Sequence, residues 1–389
     1  MTELTRRILT VQPVADGGGS EHALIRMIRQ LSGAGWECHV VVPEPARLAG
    51  EYTAAGAVLH VMPMDRLTTT GRHARWIRFF VLWPVVVVRL ALLARRLGAD
   101  VVHSNSLHSW YGWAAARLTG RPHVWHAREI VFQSGAALRV ERFLAARFAA
   151  RVIAVSGTVA AQLDPGNVVV VTDEADPDRF DPSRAGRFRA GQGIRDEVPL
   201  AGSVGRLDTW KGFDVLLDAV PLIRGERPDF ELVVVGGPVG GKEEYARRLE
   251  QRARLLPGVH WLGARSDVGD LMADLDVFVA VSTEPEPFGL VVVEALASGV
   301  PVVAGAAGGP LEILGREAAE RTAPAGRLVA PGDPHALAAA VLELLPPRSD
   351  SGQRRARRPL RRPAGDCFAT VFDQVYRVPR SKPPGRVHR

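Results

Sequence analysis

Along the chain, short β-branched apolar runs alternate with longer stretches in which apolar residues return every three or four positions. That alternation predicts a mostly parallel sheet covered by helices. In the first half the strand-like runs fall at 8–11, 39–42, 58–61, 100–103, 123–126, 152–155 and 168–171. Between the first two, Leu24, Met27, Ile28 and Leu31 keep helical spacing, with Ser20 in the N-cap position and Gly33 and Gly35 as a stop. A polar, Asp- and Pro-rich stretch at 172–183 breaks the pattern and reads as a linker. A second series then predicts strands at 200–204, 231–235, 259–261, 277–281, 301–304 and 327–329, and a helix at 334–345.

With 389 residues, 47% of them hydrophobic, the chain is long enough for two α/β domains, each with its own core. The expected boundaries are 1–172 for a first Rossmann-like domain and 173–345 for a second. Two doubly wound domains in tandem predict a cleft where the carboxyl ends of their strands face each other. Residues 346–365 form an Arg/Pro-rich segment too charged to build a core, read as flexible. Beyond it Phe368, Val371, Phe372, Val375 and Tyr376 recover a helical apolar face, which predicts a helix at 366–378 that joins the first domain.

The net charge of +7 resembles a nucleic-acid or membrane signal until it is located. Residues 346–389 hold twelve Lys/Arg and three Asp/Glu, leaving 37 basic and 39 acidic groups in the body. The tail alone makes the protein basic, and nucleic acid is not the expected partner. Cys38 and Cys367 cannot supply a disulfide framework and have no neighbours at metal-ligand spacing, which reads as structural thiols in a reducing cytosol. The N-terminus lacks the apolar run of a signal peptide, so the expected location is cytoplasmic. The most apolar window, 79–94, is interrupted by Pro84 and Arg89 and falls short of the ~20 residues of a bilayer span. No acidic residue separates Asp65 from Asp100, while Arg66, Arg72, Arg75, Arg78, Arg89, Arg95 and Arg96 alternate with Trp76, Phe79, Phe80 and Trp83. Two readings stand: a packed helix with solvated arginines, or a peripheral contact with the inner face of a membrane.

Three segments carry chemistry. In STEPEPFGLVVVEALASGVPVV, 282–303, Glu286 and Glu294 flank a predicted helix start at Phe288, Gly289 and Leu290. Unpaired N–H groups at such a start attract a diphosphate or an anionic sugar oxygen. A carboxylate at Glu294 suits a ribose diol, since it accepts from two hydroxyls at once. In GSVGRLDTWKGFDVLLDAV, 202–220, Arg206 and Lys211 lie on a strand-to-helix loop, where two cations offset charge growing on a departing nucleoside diphosphate without a metal. Asp173, Glu174 and Asp176 in the linker are the nearest approach to an acidic metal cluster. The third segment, Asp16-Gly17-Gly18-Gly19-Ser20-Glu21, joins the first strand to the first helix and lets backbone approach a phosphate or sugar closely. His22 stands where a dinucleotide fingerprint needs its third glycine, which sets aside a dehydrogenase.

In order and spacing these segments resemble glycosyltransferase family 4, retaining, metal-independent enzymes of the GT-B architecture, over most of 8–345. Further echoes are DVVHSNS at 100–106, WHAREI at 125–130, AVS at 154–156, GGPLEIL at 308–314 and GRLVAPGD at 326–333. The resemblance implies that Arg206 and Lys211 hold the diphosphate, that Glu286 bonds donor-sugar hydroxyls and that Glu294 grips the ribose. It further implies backbone contacts from Phe288, Gly289 and Leu290, a place for His126 near the reacting carbon, and closure of the Gly18-Gly19 loop on phosphate and acceptor; the apolar run around His126 also allows a satisfied core histidine. Arg128 and Glu129 read as a mutual pair, and Glu312 as either a helix cap or a sugar contact. The linker departs from the family pattern, which has Asn-Gly where Asp173 and Glu174 stand.

The expected activity is hexosyl transfer from a nucleotide-diphosphate sugar, UDP- or GDP-linked, to a hydroxyl of an envelope, polysaccharide, glycolipid or natural-product acceptor, with no cofactor. A nucleotide-sugar epimerase or hydrolase of the same fold is the alternative enzyme. A nucleic-acid or membrane binder using the basic tail is the alternative from another class.

Overall fold

The computed structural model describes residues 6–65, 73–131, 135–163, 166–238, 240–320, 325–347 and 368–377. They fall into two compact units, the first running to Asp173 and including the last helix, the second starting at Glu174.

The first unit alternates strand and helix: β1 (Arg6–Val11), α1 (Gly19–Gly33), β2 (Trp36–Val42), α2 (Ala49–Ala54), β3 (Ala57–Val61), α3 (His73–Leu97) and β4 (Val101–Ser104). It continues with α4 (Tyr111–Thr119), β5 (His123–Ala127), α5 (Gly135–Phe148), β6 (Arg151–Ala154), α6 (Gly157–Leu163) and β7 (Val168–Val170). The strands form a parallel sheet in the order β3-β2-β1-β4-β5-β6-β7. Successive side chains of β1 feed opposite faces. Ile8 joins a core with Leu24, Ile28 and Val124, whereas Leu9 and Val11 join one with Phe79, Leu90 and Tyr111.

Helix α1 starts two residues earlier than the sequence pattern places it: Gly18, not Ser20, is the N-cap, so Ser20 lies inside the helix. The capping role passes to Glu21, whose carboxylate reaches back to accept from the Gly17 N–H at 2.6 Å. That carboxylate is fully buried, and desolvation raises its pKa despite this bond. Helix α3 departs further. It runs unbroken through Pro84, and Ile77–Leu97 is a 21-residue stretch of mean hydropathy 2.1, long and apolar enough by composition to cross a membrane. Pro84 lies on the exposed side of the helix, away from the core, and the helix continues through it.

The second unit contains α7 (Arg187–Gln192), β8 (Leu200–Val204), α8 (Phe213–Glu226), β9 (Glu231–Val235), α9 (Glu243–Arg254), β10 (Val259–Trp261) and α10 (Val268–Asp274). It ends with β11 (Val277–Ala280), α11 (Leu290–Ala297), β12 (Val302–Gly305), α12 (Gly309–Glu320), β13 (Gly326–Val329) and α13 (Pro334–Leu344). Its parallel sheet has the order β10-β9-β8-β11-β12-β13. Leu217, Val234, Val279 and Val341 are completely buried in its core.

The last helix, α14 (Phe368–Arg377), belongs to the first unit. Phe368, Val371, Phe372 and Val375 fill the core beside α1, and Asp373 accepts from the Trp36 indole at 3.0 Å and pairs with Arg6 at 2.6 Å. Beneath it lie two buried histidines, while a third, His123, is buried on the other face of the sheet beside Ser104 and Gly112. The ring of His103 packs 5.4 Å from Phe372, and that of His126 packs 5.5 Å from Phe368. Neither nitrogen of His126 has a hydrogen-bond partner among the described residues. Burial holds His103 and His126 well below the ordinary imidazole range and lowers His123 to about 3.

Two outcomes are expected. Phe372→Ala, which empties a fully buried ring site, destabilises the first unit by about 3–5 kcal/mol in chemical denaturation. Because the unfolded chain takes up protons on these imidazoles near pH 6.5 and the folded chain does not, stability falls as pH drops from there toward 3. His126→Leu makes that acid limb shallower by about 1.4 kcal/mol per pH unit, read from denaturation at a series of pH values. An unchanged slope would show that His126 titrates in the folded protein.

Candidate functional site

Within the second unit the strand order reverses between β8 and β11, so the loops leaving their carboxyl ends diverge and leave room for a ligand. The loop after β8 carries Arg206 and Lys211, and the loop after β11 carries Glu286, Phe288 and Gly289. They are drawn together through backbone. Thr283 N–H donates to the Trp210 carbonyl at 2.7 Å. Gly212, at φ +76°, sits so near β11 that a Cβ there would lie 1.9 Å from the Val281 oxygen. No L side chain fits at that approach.

The consequence is a contact between two of the expected site residues. The Lys211 ammonium pairs with Glu286 Oε1, and the Ser282 hydroxyl donates to Oε2 at 3.1 Å. The ammonium also lies 4.3 Å from the centre of the Trp210 ring, an added cation–π attraction. Asp208 accepts from Thr209 N–H and caps the short turn that presents Lys211. Arg206 lies on the same loop with its side chain exposed.

A third loop, after β12, closes around Glu286. Gly309 N–H donates to the Glu286 carbonyl at 2.8 Å. A Cβ on Gly308 would lie 2.2 Å from that carbonyl oxygen, and one on Gly309 would lie 2.0 Å from the Phe288 oxygen. Gly289, at φ +92°, is the N-cap of α11, and Leu290 begins the helix. The first-turn N–H groups of α11 therefore issue beside the Lys211–Glu286 pair. Glu294 follows on α11 and is buried.

The expected residues of the first unit are placed differently. Gly18 and Gly19 stand at the start of α1, where the carboxylate of Glu21 already occupies the Gly17 N–H. His126, expected near a reacting carbon, is a core side chain on β5 with no exposed surface, packed between His103 and Phe368. A ring so enclosed meets no ligand in this arrangement. Arg128 and Glu129 do not pair with each other through their side chains. Arg128 pairs with Asp173 at 2.6 Å and donates to Asn105 at 2.7 Å, and Asn105 in turn donates to Gln12 at 2.7 Å. Glu129 instead accepts from Leu107 N–H at 3.0 Å and from the Ser106 hydroxyl. Asp173, one of the two linker residues that depart from the family pattern, thus answers a largely buried guanidinium. Sequence reasoning missed Glu21, Trp210 and Ser282 as working parts. Only the acidic residue four places after Gly17 left a local signal.

Comparison with known proteins bears on the family and the fold. A family model described as Glycosyltransferase Family 4 matches residues 17–179, and one described as Glycosyl transferases group 1 matches residues 186–357. The D-inositol 3-phosphate glycosyltransferase of Salinispora tropica is 30% identical over an alignment covering 90% of this chain and 80% of that protein. Its namesake from Stackebrandtia nassauensis is 32% identical over 54% of this chain, which spans about half, 53%, of that relative's length. The crystal structure of Anabaena HepE in complex with UDP and glucose superposes with a TM-score of 0.73 at 27% identity, covering 87% of this chain and 89% of that one. Two parallel Rossmann-like units, the loop constellation around Glu286 and these matches place the chain in glycosyltransferase family 4, the group 1 glycosyl transferases of GT-B fold.

Proposed function

We propose that the chain is a retaining, metal-independent hexosyltransferase that uses a nucleotide-diphosphate sugar and an acceptor hydroxyl. The observation that carries the reading is the Lys211–Glu286 pair, set at the strand-order reversal beside the start of α11. In this reading Arg206, Lys211 and the N–H groups at Phe288, Gly289 and Leu290 take the diphosphate, Glu286 accepts from sugar hydroxyls, and Glu294 accepts from the ribose diol. Of the UDP- and GDP-linked donors, UDP has the better support, since HepE was solved with UDP and glucose. The names of the inositol-phosphate relatives point to a polyol hydroxyl as one acceptor class to try.

The chemistry follows from where charge grows. As the anomeric C–O bond breaks with oxocarbenium-like character, negative charge collects on the departing diphosphate, and a preorganised cation there lowers the barrier more than it tightens the ground state. In the resting pair the Lys211 charge is balanced by Glu286, and a diphosphate draws the ammonium into a shared site. The acceptor attacks from the face the leaving group vacates, and its proton passes to a leaving phosphate oxygen. No side-chain nucleophile enters, and His126 takes no step.

Lys211→Ala is expected to lower turnover by ~10²–10³. The check is nucleoside diphosphate release with a donor chosen by thermal shift against UDP, GDP, ADP and TDP sugars. Near-normal turnover refutes the role of Lys211. Release independent of acceptor, or formation of an isomeric nucleotide sugar, would favour a hydrolase or epimerase instead.

A further inference from the structure

We propose that the outer face of α3 seats on the headgroup region of an anionic phospholipid bilayer, so that the first unit lies on the membrane surface. The helix has two apolar sides. Phe79, Val86, Val87, Leu90, Ala91 and Ala94 are buried in the core of the first unit. Opposite them Ile77, Phe80, Val81, Val85, Val88 and Leu92 remain exposed, each by more than half of its surface. Their spacing of three, four, eight, eleven and fifteen residues from Ile77 keeps them on one stripe at about 100° per residue. Neighbouring α4 exposes Leu118 by 52%, and its carbonyl accepts from Arg95 at 2.7 Å.

Charge selects the occupant of this stripe. Arg78, Arg89 and Arg96 fall eleven and eighteen residues apart from the first, close to whole helical turns, and form a row along one flank. Among them Arg78 has an acidic partner, Asp65, at 2.8 Å. Helix α3 itself contains no acidic residue. An apolar stripe edged by arginines matches the boundary between acyl chains and anionic headgroups. A second copy of the same face would set arginine row near arginine row. A bilayer span is equally disfavoured, although 21 residues suffice by length, because it would pull Phe79, Val86, Leu90 and Ala94 out of the core. The helix lies in the interface and stays part of the unit.

The test is flotation of the full chain with vesicles of phosphatidylcholine alone or mixed with phosphatidylglycerol, at low and moderate salt. Binding to the anionic vesicles is expected. The double variant Phe80→Glu/Val81→Glu, at exposed positions that leave the core intact, should lower the bound fraction at least about tenfold at unchanged melting temperature. Arg89→Glu/Arg96→Glu should weaken binding to anionic vesicles only, and raised salt should act the same way. Replacing Arg354, Arg355, Arg357, Arg358, Arg361 and Arg362 by Ser should leave most of the binding in place. The proposal is overturned by failure of the wild-type chain to float, by floating of the α3 pair variant like wild type, or by loss of binding only when the tail arginines are replaced. Concentration-dependent dimers that the α3 pair variant abolishes, without vesicle binding, would assign the face to a second copy.

Discussion

Lys211 and Glu286 meet because glycine backbone is all that stands between the loops that carry them. A Cβ at Gly212, Gly308 or Gly309 would collide with a backbone oxygen, so the ends of β8, β11 and β12 close to a distance no other residue type permits. The side chains of the pair retain 15% and 11% of their exposure, which places them largely out of water. Under those conditions the two charges sustain each other, and removing one partner strands the other at a cost of about 3–5 kcal/mol when burial is complete. The pair therefore holds the site in register, and it offers an incoming diphosphate a cation already stripped of much of its water. Desolvation that would otherwise oppose binding is in part accomplished by folding.

The first unit solves a different problem at its own strand-order reversal between β1 and β4. Its loops are tied by a buried chain of polar groups, Gln12 to Asn105 to Arg128 to Asp173, and by Glu21 folded back on Gly17. Each group in that chain answers another, which is the condition for burying them at all. The arrangement fixes the glycine loop internally, whereas the second unit keeps Arg206 exposed. On the same sheet, α14 packs over His103 and His126, and the burial of these rings lowers their pKa.

Helix α3 shows how one sequence signal serves two surroundings. Apolar residues occupy two opposite sides of it, more than a helix covered on one side requires. The fold encloses one side, and the other is left to a partner that tolerates both hydrocarbon and positive charge. Its stability within the unit depends on Phe79, Leu90 and Ala94, while its outward residues contribute little to the core. Packing and surface function are thereby separable along a single helix.

Every strand position was legible in advance, because short, nearly continuous β-branched apolar runs between helical stretches mark parallel strands buried on both faces. The placement of Arg206, Lys211 and Glu286 on loops that follow strands was legible, and so was that of Glu294 on the helix after the last of them. The sequence by itself determined the α/β class, the two series of strands and the residue types available at each loop, all of which depend on local pattern. Tertiary structure alone decided that Lys211 would pair with Glu286, that Arg128 would find Asp173 rather than Glu129, and that His126 would face the core. Those outcomes hang on which strands become neighbours and how closely their loops approach, and contact between residues tens of positions apart leaves no period in the sequence to read.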